Sequence, residues 1–160
     1  MRLLISFLLF VVFFTNINAS DKLFFLPGDK EAVSARLLKE INISRKSILI
    51  VMNEFNYKKI AIDLIRAKKR KNLDITVYLD FNKNNKSSIV NLLRKNKIDV
   101  KLIRTRMNAS FILFDKDVLM FGSLNLNKNA FKGNYEIIMF SDDSKNINKA
   151  QLFLQKTLKN

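Results

Sequence analysis

The chain has 160 residues, with no Cys, His or Trp, and its 29 Lys and Arg residues against 14 Asp and Glu give a formal net charge of +15. The absence of Cys excludes disulfides. The absence of His and Cys excludes Ser-His-Asp and Cys-His triads and the usual zinc sites. Any catalysis would therefore depend on carboxylates, Lys, Tyr or hydroxyl groups.

The first 19 residues are typical of a cleavable secretory signal peptide. Arg2 precedes an apolar run from Leu3 to Phe14, and the polar stretch that follows ends at the small residue Ala19. The run is shorter than the about 20 apolar residues that span a bilayer, and a retained N-terminal anchor in the inner membrane is the alternative. We expect an exported protein, periplasmic or extracellular, that begins at Ser20 and meets the membrane only through the signal segment before cleavage.

The remaining residues, 20–160, have the size of one domain. Without Arg2 they carry 28 basic and 14 acidic residues, a formal net charge of +14. AT-rich codons favour Lys, but they do not deplete Asp or Glu. The excess of bases therefore favours a polyanionic partner, such as nucleic acid, lipopolysaccharide or an anionic membrane surface.

The first half of this domain alternates strands and helices. Apolar or alternating runs predict strands at Leu23–Leu26, Ser47–Met52, Asp74–Leu79 and Val100–Leu102. Apolar residues at helical spacing predict helices marked by Val33–Ile41, Ile60–Ile65 and Ile89–Leu93.

The second half begins with a predicted hairpin, Phe111–Phe114 and Val118–Phe121. A strand over Tyr135–Phe140 follows, and then a helix capped by Asp142 or Asp143. The order of elements predicts a single α/β domain with a mixed, mainly parallel sheet flanked by helices.

A spaced motif runs through this second half. Its parts are Asn108, Ser110, Asp115, Gly122-Ser123-Leu124-Asn125 and Asn134-Tyr135-Glu136. The spacing resembles the phospholipase D superfamily pattern, H-x-K-x4-D-x6-G-S-x-N followed by N-x-E. In this chain Asn108 occupies the His position and Ser110 the Lys position.

The resemblance extends over roughly residues 23–140. Ser47-Ile48-Leu49-Ile50, Phe55-Asn56 and the apolar spacing from Ile60 to Ala67 are similar to the segment that precedes the motif in small, single-domain bacterial members. Those members are exported endonucleases. The resemblance therefore implies a single phospholipase D-like domain of the phosphodiesterase type.

Members of that superfamily split phosphodiesters with a His nucleophile, and a second His, from another copy of the motif, protonates the leaving oxygen. Single-motif chains therefore act as homodimers. Asn108 cannot attack phosphorus, and Ser110 cannot balance the charge on the phosphoryl oxygens. No other His is present to substitute. The resemblance therefore implies a protein without catalytic residues, for which we expect no cofactor and no metal.

The remaining motif residues have a binding and a structural interpretation. The resemblance implies that Ser123 and Asn125 hydrogen-bond a phosphate oxygen. Ser and Asn also favour turns and helix caps, so Gly122-Ser123-Leu124-Asn125 is alternatively a turn and cap.

Two acidic motif positions have implied supporting roles. Asp115 would be largely structural, closing the loop around the site. Glu136 would once have oriented the missing His, and we expect it to be solvated or paired with Arg104 or Arg106.

The leading hypothesis is a catalytically inactive protein with a basic groove that binds nucleic acid or another polyanion through sequence-independent phosphate contacts. The candidate contacts are Arg104, Arg106, Lys128, Lys68, Lys69, Arg70 and Lys71. For the run from Lys68 to Lys71 the alternative is a solvated helix end, where bases complement the helix dipole.

Two further hypotheses stay open. One is a divergent endonuclease with residual or metal-dependent activity, in which Asp80, Asp115 and Glu136 hold Mg²⁺. The other is a non-catalytic partner that forms a heterodimer with an active family member instead of a homodimer.

Overall fold

The structure, a computed structural model, describes residues 20–158. The predicted signal peptide, residues 1–19, lies outside the described residues. The strands are β1 Lys22–Leu26, β2 Ser47–Met52, β3 Asp74–Asp80, β4 Asp99–Ile103, β5 Phe111–Phe114, β6 Val118–Gly122 and β7 Glu136–Ser141. The helices are α1 Lys30–Ile43, α2 Lys58–Lys71, α3 Phe81–Asn84, α4 Ser88–Lys95, α5 Lys128–Lys132 and α6 Ser144–Phe153, and a π-helical turn follows at Leu154–Leu158.

The strands form one mixed sheet in the order β1-β7-β6-β5-β2-β3-β4. The predicted mixed sheet flanked by helices is confirmed, but the expectation that it is mainly parallel is wrong. Only β2–β3 and β3–β4 pair in parallel, and the other four pairs are antiparallel. Between β1 and β2 the chain passes three strand positions, and β1 pairs with β7 in antiparallel orientation.

The two faces of the sheet are covered differently. Helices α1, α2 and α4 bury their apolar stripes on one face, with Leu37, Leu64 and Leu93 fully enclosed. Helix α6 covers the other face only in part, through Ile147 and the following Leu154. The β1 and β7 side of this second face therefore keeps exposed apolar residues.

Two short helices were absent from the sequence prediction because each is a single turn without an apolar stripe. Asp80 caps α3 and Asn127 caps α5 with side-chain oxygens that accept backbone N–H groups. At α6 the cap is Asp143, whereas Asp142 accepts the Ser20 N–H. None of the helices within residues 20–158 is long and apolar enough to cross a membrane.

The strand directions gather several loops at one edge of the sheet. Strands β2, β3, β4 and β6 end there, and β5 and β7 begin there. We call this the motif edge, and it comprises residues 53–56, 80–81, 104–110, 122–127 and 134–136.

Candidate functional site

Six motif positions were assigned a role from the sequence, and five of them lie at the motif edge. Asn108 and Ser110 lead into β5, Ser123 and Asn125 follow β6, and Glu136 begins β7. Because β6 pairs with both β5 and β7, the segments that hold these residues are neighbours, and the Ser123 and Glu136 side chains are in contact. The sequence spacing therefore corresponds to one place in the fold.

The side chain at the Lys position of the motif is turned inward. The Ser110 hydroxyl donates a hydrogen bond to the Leu124 carbonyl and packs 3.0 Å from Met52 Sδ. It ties the start of β5 to the segment after β6. Asn108, at the His position, is exposed and borders two clefts, one shared with Arg106 and the other with Lys149.

Gly122 is required by the close approach of β6 and β7. Its φ is 152°, a value that L side chains rarely adopt, and a Cβ there would stand 2.0 Å from the Ile137 carbonyl oxygen. The neighbouring Ser123 N–H donates to that same carbonyl at 3.0 Å. The first residue of the G-S-x-N motif is therefore structural.

The side chains of Ser123 and Glu136 are hydrogen-bonded to each other. The Ser123 hydroxyl donates to Glu136 Oε2 at 2.5 Å and accepts the Ile137 N–H at 3.1 Å. The Asn134 amide donates to Glu136 Oε1 at 3.3 Å. Both partners of this carboxylate are neutral.

The expected pairing of Glu136 with Arg104 or Arg106 is not found among residues 20–158. The Arg104 guanidinium instead lies over the Phe81 ring, 4.8 Å from its centroid. Arg106 is exposed beside Asn108. The two arginines therefore lie at the rim of the motif edge, and the Glu136 carboxylate accepts hydrogen bonds from a hydroxyl and an amide instead.

Asn125 joins the motif to the segment after β2. Its Oδ1 accepts the Glu54 N–H at 3.1 Å, and Leu126 N–H donates to the Glu54 carbonyl at 3.2 Å. The Glu54 carboxylate accepts the side-chain amides of Asn127 at 2.7 Å and Asn56 at 2.8 Å. A second carboxylate, that of Glu54, therefore lies near the end of the G-S-x-N motif.

The helix cap expected within Gly122–Asn125 lies two residues later. Asn127 Oδ1 accepts the Ala130 N–H at 2.8 Å and caps α5. The sequence interpretation missed Asn127 and Glu54. The preference of Asn for cap positions could have revealed Asn127, whereas no local signal marks Glu54, whose contacts come from residues 71 and 73 positions away.

Asp115 does not close a loop around the site, and that expectation is wrong. Its carboxylate accepts the N–H groups of Arg45, Lys46 and Ser47 at 2.7, 2.8 and 2.9 Å. Because Ser110 and Asp115 bracket β5, they lie at opposite edges of the sheet, about 17 Å apart at the rise of an extended strand. Asp115 fastens the β5–β6 turn to the start of β2.

The same contacts set the ionisation of Asp115. Partial burial by itself would raise the pKa of this carboxyl, but the three N–H donors and the Lys46 charge outweigh it. The pKa of Asp115 therefore lies below its ordinary value, since hydrogen bonds to the charged form favour that form.

The three carboxylates considered for Mg²⁺ are not brought together. Asp80 is buried and accepts the N–H groups of Asn82, Lys83 and Met107. Asp115 lies at the opposite edge of the sheet, and Glu136 is bound to Ser123. In the described part of the chain, no group of three or more acidic residues could hold a metal ion.

The basic candidates separate into distant groups. Helix α2 starts at the motif edge and ends at the opposite edge, so its last residues, Lys68–Lys71, are remote from Arg104 and Arg106. Lys68 Nζ donates to the Leu73 carbonyl, which supports the helix-end interpretation for that residue. Lys128 begins α5 beside the start of α2.

Comparisons with known proteins agree with this fold. Residues 37–157 match the family model described as "Cardiolipin synthase, PLD-like domain". NucT from Helicobacter pylori has 26% identity and a TM-score of 0.81, with 88% of this chain and 96% of that chain covered. Nuc from Salmonella typhimurium, a phospholipase D family member, has 19% identity and a TM-score of 0.74, with 86% and 92% covered.

A third similar structure is TrmBL2, an archaeal chromatin protein, at 16% identity and a TM-score of 0.60, with 86% of this chain and 52% of that chain covered. No curated protein sequence matches the chain. The family model spans most of the sequence and includes every motif position identified above. The chain therefore belongs to the phospholipase D-like domain family.

Proposed function

We propose that this chain is an exported, catalytically inactive phospholipase D-like protein that binds nucleic acid through phosphate contacts near the motif edge. One observation carries the proposal: Asn108 and Ser110 stand where phosphodiester cleavage by this family needs His and Lys. The Ser110 hydroxyl is already bound to the Leu124 carbonyl, and the chain contains no His.

The chemistry of these two side chains argues against cleavage. A neutral amide is neither a nucleophile toward phosphorus nor a proton carrier near neutral pH, whereas an imidazole is both. Arg106 and Lys149 border the clefts beside Asn108 and supply positive charge. They supply no nucleophile, so a bound phosphodiester is expected to stay intact.

Charge and geometry favour a nucleic-acid partner. A net charge of +14 over residues 20–160 attracts polyanions. Arg104 is exposed with its guanidinium over the Phe81 ring, and guanidinium groups can also stack on nucleic-acid bases. Arg106 is exposed next to Asn108, where a backbone phosphate would lie.

Glu54 and Glu136 limit the affinity of this edge. Both carboxylates lie beside the residues that the resemblance assigns to phosphate, and their side-chain partners are neutral amides and a hydroxyl. Like charge repels phosphate, so we place the contacts on Arg104 and Arg106 at the rim, with Ser123 and Asn125 in minor roles.

Export and pairing complete the proposal. Residues 1–19 have the three parts of a signal peptide, so we place the mature protein in the periplasm or outside the cell.

Leu23, Phe25 and Ile137 are 48%, 53% and 53% exposed on the sheet face that α6 leaves open, next to β6 and the motif. A second copy is the occupant we propose for this apolar face, because the resemblance implies homodimers with facing motifs and the face adjoins the motif strands β6 and β7. An active relative in its place would give the heterodimer alternative.

Binding by residues 20–160 to a fluorescein-labelled 20-base-pair duplex, measured by anisotropy in EDTA from 50 to 200 mM salt, tests the proposal. Each neutralised phosphate contributes about −0.9 to the log–log salt slope. Arg104→Gln with Arg106→Gln should reduce the slope by almost two units. Asn125→Ala should weaken binding slightly at an unchanged slope, because a neutral amide releases no counterion.

Lys95→Gln with Lys145→Gln is the matched control, since both lysines are exposed and lie outside the motif edge. This pair should change the slope by less than half a unit. Equal effects of the two double variants would contradict a groove at the motif edge. No measurable binding at 50 mM salt would contradict the proposed function.

A further inference from the structure

A basic stripe runs along the solvent side of α2, from its start beside the motif edge toward the opposite edge of the sheet. Its six exposed bases are Lys58, Lys59, Arg66, Lys69, Arg70 and Lys128. These bases border two shallow clefts. The first cleft is lined by Lys58, Lys59 and Lys128, and the second is lined by Lys69 and Arg70. Arg66 and Asp63 border both clefts, so the two form a continuous surface.

The charge of the stripe is almost unopposed. Asp63 is the one acid that borders these clefts, and it pairs with Arg66 at 3.3 Å. Among residues 20–158, the other five bases make no ion pair. Lys58 and Lys59 occupy the first turn of α2, which contains no acid, and cations there oppose the helix dipole. These two lysines therefore do not stabilise α2. An anion bound between them and the helix N-terminus would offset the repulsion between their charges and the positive end of the helix dipole.

The stripe has the length and regularity of a backbone-binding surface. Lys59, Arg66 and Lys69 recur at the spacing of one helix face, and the opposite face carries the buried Ile60 and Leu64. The 14 residues of α2 span about 21 Å, which corresponds to about six nucleotides along one strand of a duplex.

We infer that this stripe is a nucleic-acid-binding surface that begins beside the motif edge and continues along α2, and that it contacts a run of backbone phosphates. The inference rests on the proposed function for the identity of the partner, and it assigns that partner a second contact region. It also gives a role to Lys69, Arg70 and Lys128, three of the bases identified from the sequence. Lys68 is outside the stripe, because its ammonium donates to the Leu73 carbonyl.

An anionic membrane is a poorer fit to this surface. Interfacial helices insert apolar side chains between lipids, but the apolar face of α2 is buried against the sheet. The exposed side offers bases along two adjoining shallow clefts that extend from Asn42, near the end of α1, to Lys128, at the start of α5. A surface of this shape fits the backbone of a nucleic-acid strand better than it fits a flat bilayer.

The test is duplex binding by residues 20–160 with Lys59→Gln, Arg66→Gln and Lys69→Gln combined. The matched control combines Lys22→Gln, Lys95→Gln and Lys145→Gln, three exposed lysines on other elements. Both variants lose three charges. At about −0.9 per phosphate, the stripe variant should reduce the salt slope by two to three units and the affinity more than tenfold at 100 mM salt. The control should change the slope by less than one unit.

Equal loss in both triple variants would overturn the inference, because the binding would be diffuse. Loss only in the Arg104→Gln and Arg106→Gln double variant would also overturn it, while the proposed function would stand. Loss of binding to phosphatidylglycerol vesicles without loss of duplex binding would show that the surface serves a membrane, which likewise overturns the inference. Absence of duplex binding by the unsubstituted protein would overturn both proposals. Thermal unfolding of each variant establishes that the fold is retained.

Discussion

The Ser123 hydroxyl donates its hydrogen bond to the carboxylate of Glu136 at 2.5 Å, so the serine of the G-S-x-N motif faces a negative charge. In the superfamily this Glu is expected to orient a His, which is absent from this chain. If the protein binds nucleic acid as proposed, the charge of Glu136 should repel a phosphate placed near Ser123. We therefore expect this carboxylate to weaken polyanion binding at the motif edge.

Glu136→Gln should strengthen duplex binding about fivefold at 50 mM salt. The substitution removes one like charge near a phosphate, worth about 1 kcal/mol in high dielectric, and keeps an oxygen to accept from Ser123. Anisotropy titration measures the change. Glu31→Gln, an exposed acid in the first turn of α1, is the matched control and should alter affinity less than twofold. A similar gain in both variants would mean that net charge, not the motif edge, sets the affinity.

Gly122→Ala should destabilise the fold by about 3 kcal/mol or more, because its Cβ would collide with the Ile137 carbonyl and force β6 from β7. Urea unfolding followed by circular dichroism measures the loss. Gly133→Ala is the control, since a Cβ there meets nothing within 4 Å, and it should change stability by about 0.5 kcal/mol or less. Equal stability of the two variants would refute the close approach of β6 and β7.

Asp115→Asn should cost about 1–3 kcal/mol, because three backbone N–H groups lose a charged acceptor. Since the pKa of Asp115 is lower in the folded chain than in the unfolded chain, its contribution is complete above about pH 5. The contribution is lost as the pH falls through the ordinary value of about 3.9 and then through the lower folded value.

Urea unfolding between pH 3 and 7 checks both the cost and the pH dependence. The difference between the unsubstituted protein and Asp115→Asn should shrink toward acid pH. Asp117→Asn, at an exposed position of the same turn, is the control for the cost and should change stability by about 0.5 kcal/mol or less. A pH-independent difference for Asp115→Asn would contradict the ionised state assigned to Asp115.

Much of the fold was predictable from the sequence because its signals are local. The continuous apolar run Ser47–Met52 and the alternation over Asp74–Leu79 identify the central strands β2 and β3, and the hairpin β5–β6 follows from Phe111–Phe121. The place of β1 was not predictable, since its pairing with β7 joins residues more than 100 positions apart. Pattern within a strand does not specify its distant partner.

The candidate site divides in the same way. The structure places Ser110, Ser123 and Glu136 at one edge, because the hairpin joins β5 to β6 and β6 also pairs with β7. The motif spacing misplaced Asp115, since a four-residue strand separates this residue from Ser110. The sequence interpretation also grouped Lys68–Lys71 with Arg104 and Arg106. In the structure, the end of α2 places Lys68–Lys71 at the opposite edge of the sheet.

We predict that the protein is exported and that its mature form begins at Ser20. Edman degradation or mass spectrometry of protein from the periplasmic or extracellular fraction measures the N-terminus. The apolar run ends too early to span a bilayer, and Ala19 is the small residue at which cleavage is expected. An intact Met1 or Arg2 in a membrane fraction would show that the segment is an anchor.

The central claim is that this protein holds a phosphodiester backbone without cutting it. Its most direct test is one incubation of labelled duplex DNA with residues 20–160 in EDTA at 50 mM salt, divided between a native gel and an acid-quenched denaturing gel. We predict a shifted complex on the first gel and full-length strands with no protein adduct on the second. Shortened strands, or a strand covalently attached to the protein, would contradict the account.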